Sequence, residues 1–128
     1  FERVGAPWID GREWARALNG LRLKGVRFVP IRFTPKERQF AGQECSGVQI
    51  LVTDWSSFDP IDLGFGMAAT LRFLYPRDWK LDGFLRFVAD RKTHEAMARG
   101  AGVETLKAIS ADELRDFLHV RSKYLLYP

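Results

Sequence analysis

Residues Phe33–Asp54 read FTPKERQFAGQECSGVQILVTD, and this stretch decides how the rest of the chain is read. Val48, Ile50 and Val52 alternate with Gln49, Leu51 and Thr53, the period-2 pattern of a half-buried strand. Ahead of it lies a polar segment carrying Lys36, Glu37, Arg38 and Glu44, bounded by Pro35, Gly42 and Gly47. Proline and glycine at these places discourage a helix from Lys36 to Cys45, so the expectation is an ordered loop on one edge of the domain. Its chemistry is that of a cleft lining rather than of a short hairpin connection. The chain's single cysteine, Cys45, belongs to this loop, ahead of a strand spanning Gly47 to Asp54.

Working outward, Val26 to Phe33 reads as a strand. Pro30 within it argues for an edge position or a bulge, because proline cannot donate to a ladder. Before that strand, Asp10 with Glu13 forms the signature of a capping box, and Trp14, Leu18 and Leu21 fall on one helical face. Gly20 and Gly25 close this helix. After the second strand, Trp55 to Pro60 is a turn. Ile61 to Leu74 is helical and apolar nearly all round, with Leu63, Met67, Leu71 and Leu74 along one face, as in a central helix. Asp78 to Ala89 fits no single pattern, and Phe84, Phe87 and Val88 are expected to be buried. Lys92 to Arg99 is a short helix stopped by Gly100, and Val103 to Ile109 is another. Ser110 and Glu113 form a capping box for a last helix bearing Leu114, Phe117 and Leu118. This order predicts a single α+β domain, a small mixed sheet packed with several helices.

A chain of 128 residues, 46% hydrophobic, is long enough to bury a core without staples. One cysteine excludes an intrachain disulfide. No apolar run approaches the ~20 residues of a membrane span, and no signal peptide is visible. The sequence starts at Phe1 without methionine, which reads as a piece of a longer protein. The net charge of +4 comes from scattered basic residues, not from a cluster interleaved with aromatics, so it argues for a solvated surface and against a nucleic-acid footprint. A mildly basic surface also suits an anionic glycan.

The chemistry-bearing motifs are few. Gly64-Phe65-Gly66-Met67-Ala68-Ala69 matches a dinucleotide fingerprint in letters only. A turn precedes it and a helical pattern contains it, so close helix packing is the better reading. His94 and His119 lack metal-ligand spacing, and Cys45 has no C-x-x-C partner. Cys45 as a nucleophile would need a nearby base, and a packed cysteine is the simpler reading. Glu44 is the carboxylate of most interest, either a solvated loop charge or a contact to sugar hydroxyls. No second carboxylate accompanies it in a recognisable catalytic context.

Gly5-Ala6-Pro7-Trp8, Phe33-Thr34-Pro35, Ala41-Gly42, Cys45, Gly47-Val48-Gln49, Val52-Thr53-Asp54 and Lys123-Tyr124-Leu125-Leu126-Tyr127 follow one another over nearly the whole chain. In this order and spacing the sequence resembles the C-terminal part of the NamZ family, bacterial exo-β-N-acetylmuramidases of cell-wall turnover. The resemblance implies that residues 1–128 are a C-terminal domain. The glycoside hydrolase chemistry would lie mainly in an N-terminal Rossmann-like domain outside this chain, with the present domain completing the cleft. The implied partners are that N-terminal domain and a peptidoglycan-derived sugar containing N-acetylmuramic acid. No nucleic acid, membrane span, cofactor or metal is implied. The parent is expected in the bacterial periplasm or outside the cell, and the isolated chain is expected to be inactive.

No catalytic residue is assigned to this chain. Trp8, Arg38, Gln39, Glu44 and Ser46 are the expected substrate-binding residues. Trp8 could stack on a sugar or anchor the core. Relatives tend to carry a Ser-Lys pair where this chain has Arg38-Gln39, which bears on substrate preference because a guanidinium differs from an ammonium. Two rival readings remain: a carbohydrate- or wall-docking module with no share in catalysis, and a nucleic-acid-binding domain supported by charge alone, which would show salt-dependent retention on DNA.

Overall fold

The computed structural model of the chain describes residues 2–125. Three strands, β1 (Arg3–Ala6), β2 (Val26–Phe33) and β3 (Cys45–Val52), form a sheet of order β1-β3-β2. Both pairings are antiparallel, so the sheet is not mixed as expected, although the α+β class stands. Helices α1 (Gly11–Gly20) and α2 (Pro60–Leu74) pack with it. A 3-10 turn at Leu81–Phe84 leads into α3 (Leu85–Val88), α4 (Arg91–Ala98), α5 (Val103–Ile109) and α6 (Ala111–Ser122). Among the described residues no helix is long and apolar enough to cross a membrane.

Strand β1 was not foreseen. It has only four residues, one of them glycine, and Pro7 follows it directly, so no periodicity announces it. Strand β3 begins at Cys45 rather than Gly47, and Cys45 is a buried strand residue opposite Phe33. Val48 is fully buried while Ile50 and Val52 are half-buried, as the alternation predicts. Strand β2 pairs only with β3, so Pro30 sits on an edge strand, where a missing N–H costs no ladder bond.

Helix α1 starts at Asp10, whose Oδ1 accepts the Arg12 and Glu13 amides at 2.9 and 3.1 Å. The reciprocal half of the expected capping box is absent. The Asp10 amide donates instead to the Tyr75 hydroxyl at 3.0 Å, and Tyr75 comes from the far end of α2. Trp14 and Leu18 are fully buried, but Leu21, at the helix cap, is 40% exposed. Trp14 Nε1 donates to Thr70 Oγ1 at 2.8 Å, so the buried indole is satisfied by α2. Asn19 closes the other flank. Its amide donates to the Phe28 carbonyl at 2.8 Å and accepts the Phe28 N–H at 3.1 Å, which fixes α1 against β2.

Three glycines set how closely these layers approach. A Cβ on Gly47 would lie 2.0 Å from the Val4 carbonyl oxygen, and one on Gly11 would lie 2.3 Å from the Gly47 carbonyl oxygen. A Cβ on Gly5 would lie 2.5 Å from the Ser46 carbonyl oxygen. Helix α1 thus begins directly against the β1–β3 backbone, and its first amide, Gly11 N, donates to Ser46 Oγ at 2.9 Å.

Helix α2 separates two cores. The larger contains Trp14, Leu18, Val26, Phe28 and Val48, with Leu63, Met67, Leu71 and Leu74 packed against it. The smaller gathers Ala68, Met97 and Leu106, with Phe65 and Phe84 packed against them. Gly66 lets the Leu21 and Leu23 side chains approach α2, whereas a Cβ on Gly64 would meet nothing within 4 Å. The packing reading of this glycine pair therefore holds for Gly66 alone.

The second half departs from expectation in two places. Phe84 and Val88 are half-buried, but Phe87 is 80% exposed. Its helix is a single short turn ended by Ala89 at φ 55°, and only one side of such a turn can face the core. Ser110 does not cap α6. It is also the C-cap of α5, at φ -102° and ψ 5°, and its side chain makes no hydrogen bond to the α6 amides. Helix α6 is exposed along its length, and Leu114, Phe117 and Leu118 are uncovered.

Lys107 of α5 bridges Asp59 and Asp62 at the start of α2, at 3.1 and 2.5 Å. These two carboxylates raise Lys107 well above its ordinary value of 10.5. Four aspartates are held below the ordinary 3.8: Asp59 by the Lys107 ammonium, Asp10 by the Glu13 and Arg12 amides, Asp90 by Thr93, and Asp54 by the hydroxyls of Ser56 and Ser57. A depressed carboxylate stabilises the fold above its unfolded value, and that stability is lost as pH falls through the folded value. Melting temperature should therefore hold from neutrality to about pH 5 and fall below it, and Asp59→Asn should flatten the decline. The glycine contacts give a second expectation, read by urea unfolding. Gly47→Ala should destabilise the domain by about 3 kcal/mol or prevent folding, since backbone and not a flexible side chain blocks the new methyl. Gly64→Ala should stabilise it by about 0.5–1 kcal/mol through helix propensity.

Candidate functional site

A cleft of about 840 Å³ opens where the start of α1 meets the ends of β2 and β3. Pro7, Trp8 and Asp10 line it from the β1–α1 connection, Arg12 from the first turn of α1, Pro30 and Arg32 from β2, and Glu44 and Ser46 from β3 and the residue before it. The register explains the gathering. Ser46 of the central strand lies opposite Ala6 on one side and Arg32 on the other, so the chain leaving β1 arrives over the same end of the sheet.

Three of the five expected binding residues meet here: Trp8, Glu44 and Ser46. Arg38 and Gln39 are exposed and lie outside this lining. The Trp8 ring is half-buried and packs on Tyr75, with centroids 5.4 Å apart at an interplanar angle of 60°. It is therefore both core anchor and cleft wall. Ser46 Oγ accepts the Gly11 amide, so this hydroxyl positions α1 and borders the cleft at once. Glu44 stands 3.7 Å from Arg32, with both side chains more than two-thirds exposed. Exposed pairs of this kind contribute little to stability.

The connection over residues 34–44 joins β2 to β3 as a long hairpin loop, and of its residues only Glu44 lines the cleft. It contains no helix, as expected. Arg38, Phe40 and Gly42 take positive φ values of 66°, 65° and 74°. The Gly42 amide donates to the Pro35 carbonyl at 2.9 Å, and the Gln43 amide to the Phe40 carbonyl at 3.0 Å. Phe40 packs against the larger core and tethers the loop.

Sequence reasoning overlooked Asp10, Arg12, Arg32 and Tyr75. Pairing Phe33 with Cys45 as the last rung of a hairpin would have brought Arg32 to Ser46. Nothing local points to Tyr75, whose hydroxyl, raised in pKa chiefly by burial, accepts the Asp10 amide from 65 positions away. Tyr75 thereby holds the loop that carries Trp8 and Asp10.

The other motifs stay outside the cleft. Cys45 is fully buried, with Sγ 3.7 Å from the Gln43 carbonyl oxygen, a packed thiol. His94 Nε2 lies 3.2 Å from the Leu81 carbonyl oxygen, and His119 sits on exposed α6. Among the described residues no group of three or more His, Cys, Asp and Glu could hold a metal ion. Asp54, of the Val52-Thr53-Asp54 motif, caps its own turn through Ser56 and Ser57. Residues 126–128, the end of the Lys123–Tyr127 motif included, lie outside the described residues.

Compared with known proteins, residues 1–127 match the family described as exo-β-N-acetylmuramidase NamZ, C-terminal. The peptidoglycan β-N-acetylmuramidase NamZ of Bacillus subtilis (strain 168) is 33% identical over 130 residues, covering 99% of this chain and 31% of that protein. The crystal structure of a DUF1343 family protein from Bacteroides fragilis NCTC 9343 superposes with a TM-score of 0.67 at 23% identity, over 99% of this chain and 35% of that one. The chain thus spans about a third of the length of either relative.

The Tyr75 contact can be tested directly. Tyr75→Phe keeps the ring against Trp8 but leaves the Asp10 amide without its acceptor, and should lower unfolding free energy by about 1 kcal/mol. Tryptophan fluorescence of the folded state should shift at the same time. An unchanged midpoint and spectrum would show that the hydroxyl does not hold the loop.

Proposed function

We propose, on the premise that this chain belongs to the family of C-terminal domains of exo-β-N-acetylmuramidase NamZ, that it completes the sugar cleft of a peptidoglycan glycoside hydrolase. The observation that carries this reading is the cleft itself. Residues from the β1–α1 connection, α1, β2, β3 and the residue before β3 converge there, and the carboxylate, hydroxyl, indole and guanidinium groups that a glycan needs for recognition stand together. The parent would release terminal N-acetylmuramic acid from peptidoglycan fragments, as the name of the Bacillus subtilis relative describes for that protein.

Within this reading, Glu44 accepts hydrogen bonds from sugar hydroxyls, with Trp8 bordering the sugar and Ser46 fixing the floor. Arg38 and Gln39 lie on the exposed loop and would face the N-terminal domain. Catalytic carboxylates belong to that domain. Within this cleft the two carboxylates are Asp10, engaged as a helix cap, and Glu44, beside Arg32. The pure chain should therefore show no muramide turnover, while the full-length parent should release N-acetylmuramic acid from a chromogenic β-muramide.

A docking module with no share in catalysis makes the opposite prediction: the isolated domain would bind muramyl sugars and its cleft variants would leave turnover intact. Glu44→Ala in the parent should lower kcat/KM about tenfold to a hundredfold, the effect of losing a hydrogen bond to a charged group. Its melting temperature should hardly move, because Glu44 is exposed and loosely paired. An unchanged kcat/KM would favour the docking module.

A further inference from the structure

We infer that Arg12 and Arg32 form a carboxylate-reading subsite that selects an anionic sugar, the lactyl-bearing N-acetylmuramic acid, over its neutral counterparts. The inference rests on the function proposed above and assigns its specificity to two residues that no sequence motif marks.

Four ionic side chains line the cleft: Asp10, Arg12, Arg32 and Glu44. They are not equivalent. Asp10 is engaged, its Oδ1 accepting the first-turn amides of α1. Glu44 rests 3.7 Å from Arg32 in a pair whose side chains are 77% and 71% exposed. A pair so open to water exchanges partners at little cost. Among the described residues the Arg12 guanidinium has no hydrogen-bond or ion-pair partner, and only its backbone amide is engaged.

The cleft therefore presents one uncommitted guanidinium and one held loosely. Both stand on fixed backbone. Arg12 lies in the first turn of α1, which Ser46 Oγ and Tyr75 tie to the sheet and to α2. Arg32 lies opposite Ser46 in the β2–β3 ladder. Helix α1 does not itself offer the anion site, because its first amides are already bound by Ser46 and Asp10. Recognition falls to the side chains.

A planar guanidinium binds a carboxylate through two parallel N–H donors, which gives orientation as well as attraction. Muramic acid differs from glucosamine in its lactyl ether, which carries a carboxylate. Two arginines lining one cleft suit that group, while Glu44 remains for the hydroxyls. Arg12 and Arg32 are specificity residues here and take no part in bond breaking.

The test uses the full-length parent with a chromogenic N-acetylmuramide and the same compound with its lactyl carboxylate masked as the methyl amide. The ratio of kcat/KM for acid over amide should fall about tenfold to a hundredfold in Arg12→Ala and Arg32→Ala, with the amide values nearly unchanged. Arg12→Lys and Arg32→Lys should restore part of the ratio. Equal losses on both compounds, or an unaltered ratio, would overturn the subsite while leaving the muramidase reading intact. Calorimetric binding of N-acetylmuramic acid and its methyl amide gives the same comparison without turnover. A wild-type parent that neither binds nor cleaves either compound would overturn the function and the subsite together.

Discussion

A close approach of backbone to backbone at three glycines is the point on which the arrangement depends. Gly11 opens α1 directly on the Gly47 backbone, and Gly47 in turn lies against Val4 and Gly5 of β1. None of the three glycines, Gly5, Gly11 and Gly47, has room for a Cβ. Any larger residue would push the helix off the sheet, and Trp14 and Leu18 would withdraw from the core they fill. The same approach brings Gly11 N to Ser46 Oγ and sets the chain from Pro7 to Asp10 over the end of the sheet. The cleft is a consequence of that contact.

Helix α2 distributes this order to the rest of the domain. Through Thr70 it satisfies the Trp14 indole, and through Tyr75 it holds Asp10. Its other side carries Ala68 into the second core, and its first turn is clamped by Lys107. Packing against both cores accounts for much of the apolar character of this helix, although Ile61 and Phe73 stay exposed. The site lies at the Tyr75 end and the Lys107 clamp at the other, about 22 Å away along fifteen residues. No residue of exposed α6 lines the cleft.

The polar groups of the cleft do two kinds of work. Asp10 and Ser46 are engaged by backbone amides and give the site its shape. Glu44, Arg32 and Arg12 remain open to water and can meet a ligand. The chain spans about a third of its relatives' length. Membership in the NamZ C-terminal family and the polar character of the cleft are consistent with one another at this level.

What the sequence determined by itself was local. Period-2 alternation marked β3, the Asp10 cap and the Trp14–Leu18 spacing marked α1, Pro30 marked an edge position or a bulge, of which the structure has the edge, and glycine with proline excluded a helix from the Phe33–Gly47 loop. The ordered set of short motifs identified the family. These signals survive because each acts within a few residues. Tertiary structure decided the rest. Strand β1 exists because β3 offers it a partner, not through its own four residues. Asn19 bonds to Phe28, and Tyr75 replaces the expected capping partner of Asp10, only once the layers have met. Arg12 and Arg32 share a cleft because the hairpin register and the glycine contacts carry them there. Local propensity cannot encode a meeting between residues far apart in the chain, and this cleft is made of such meetings.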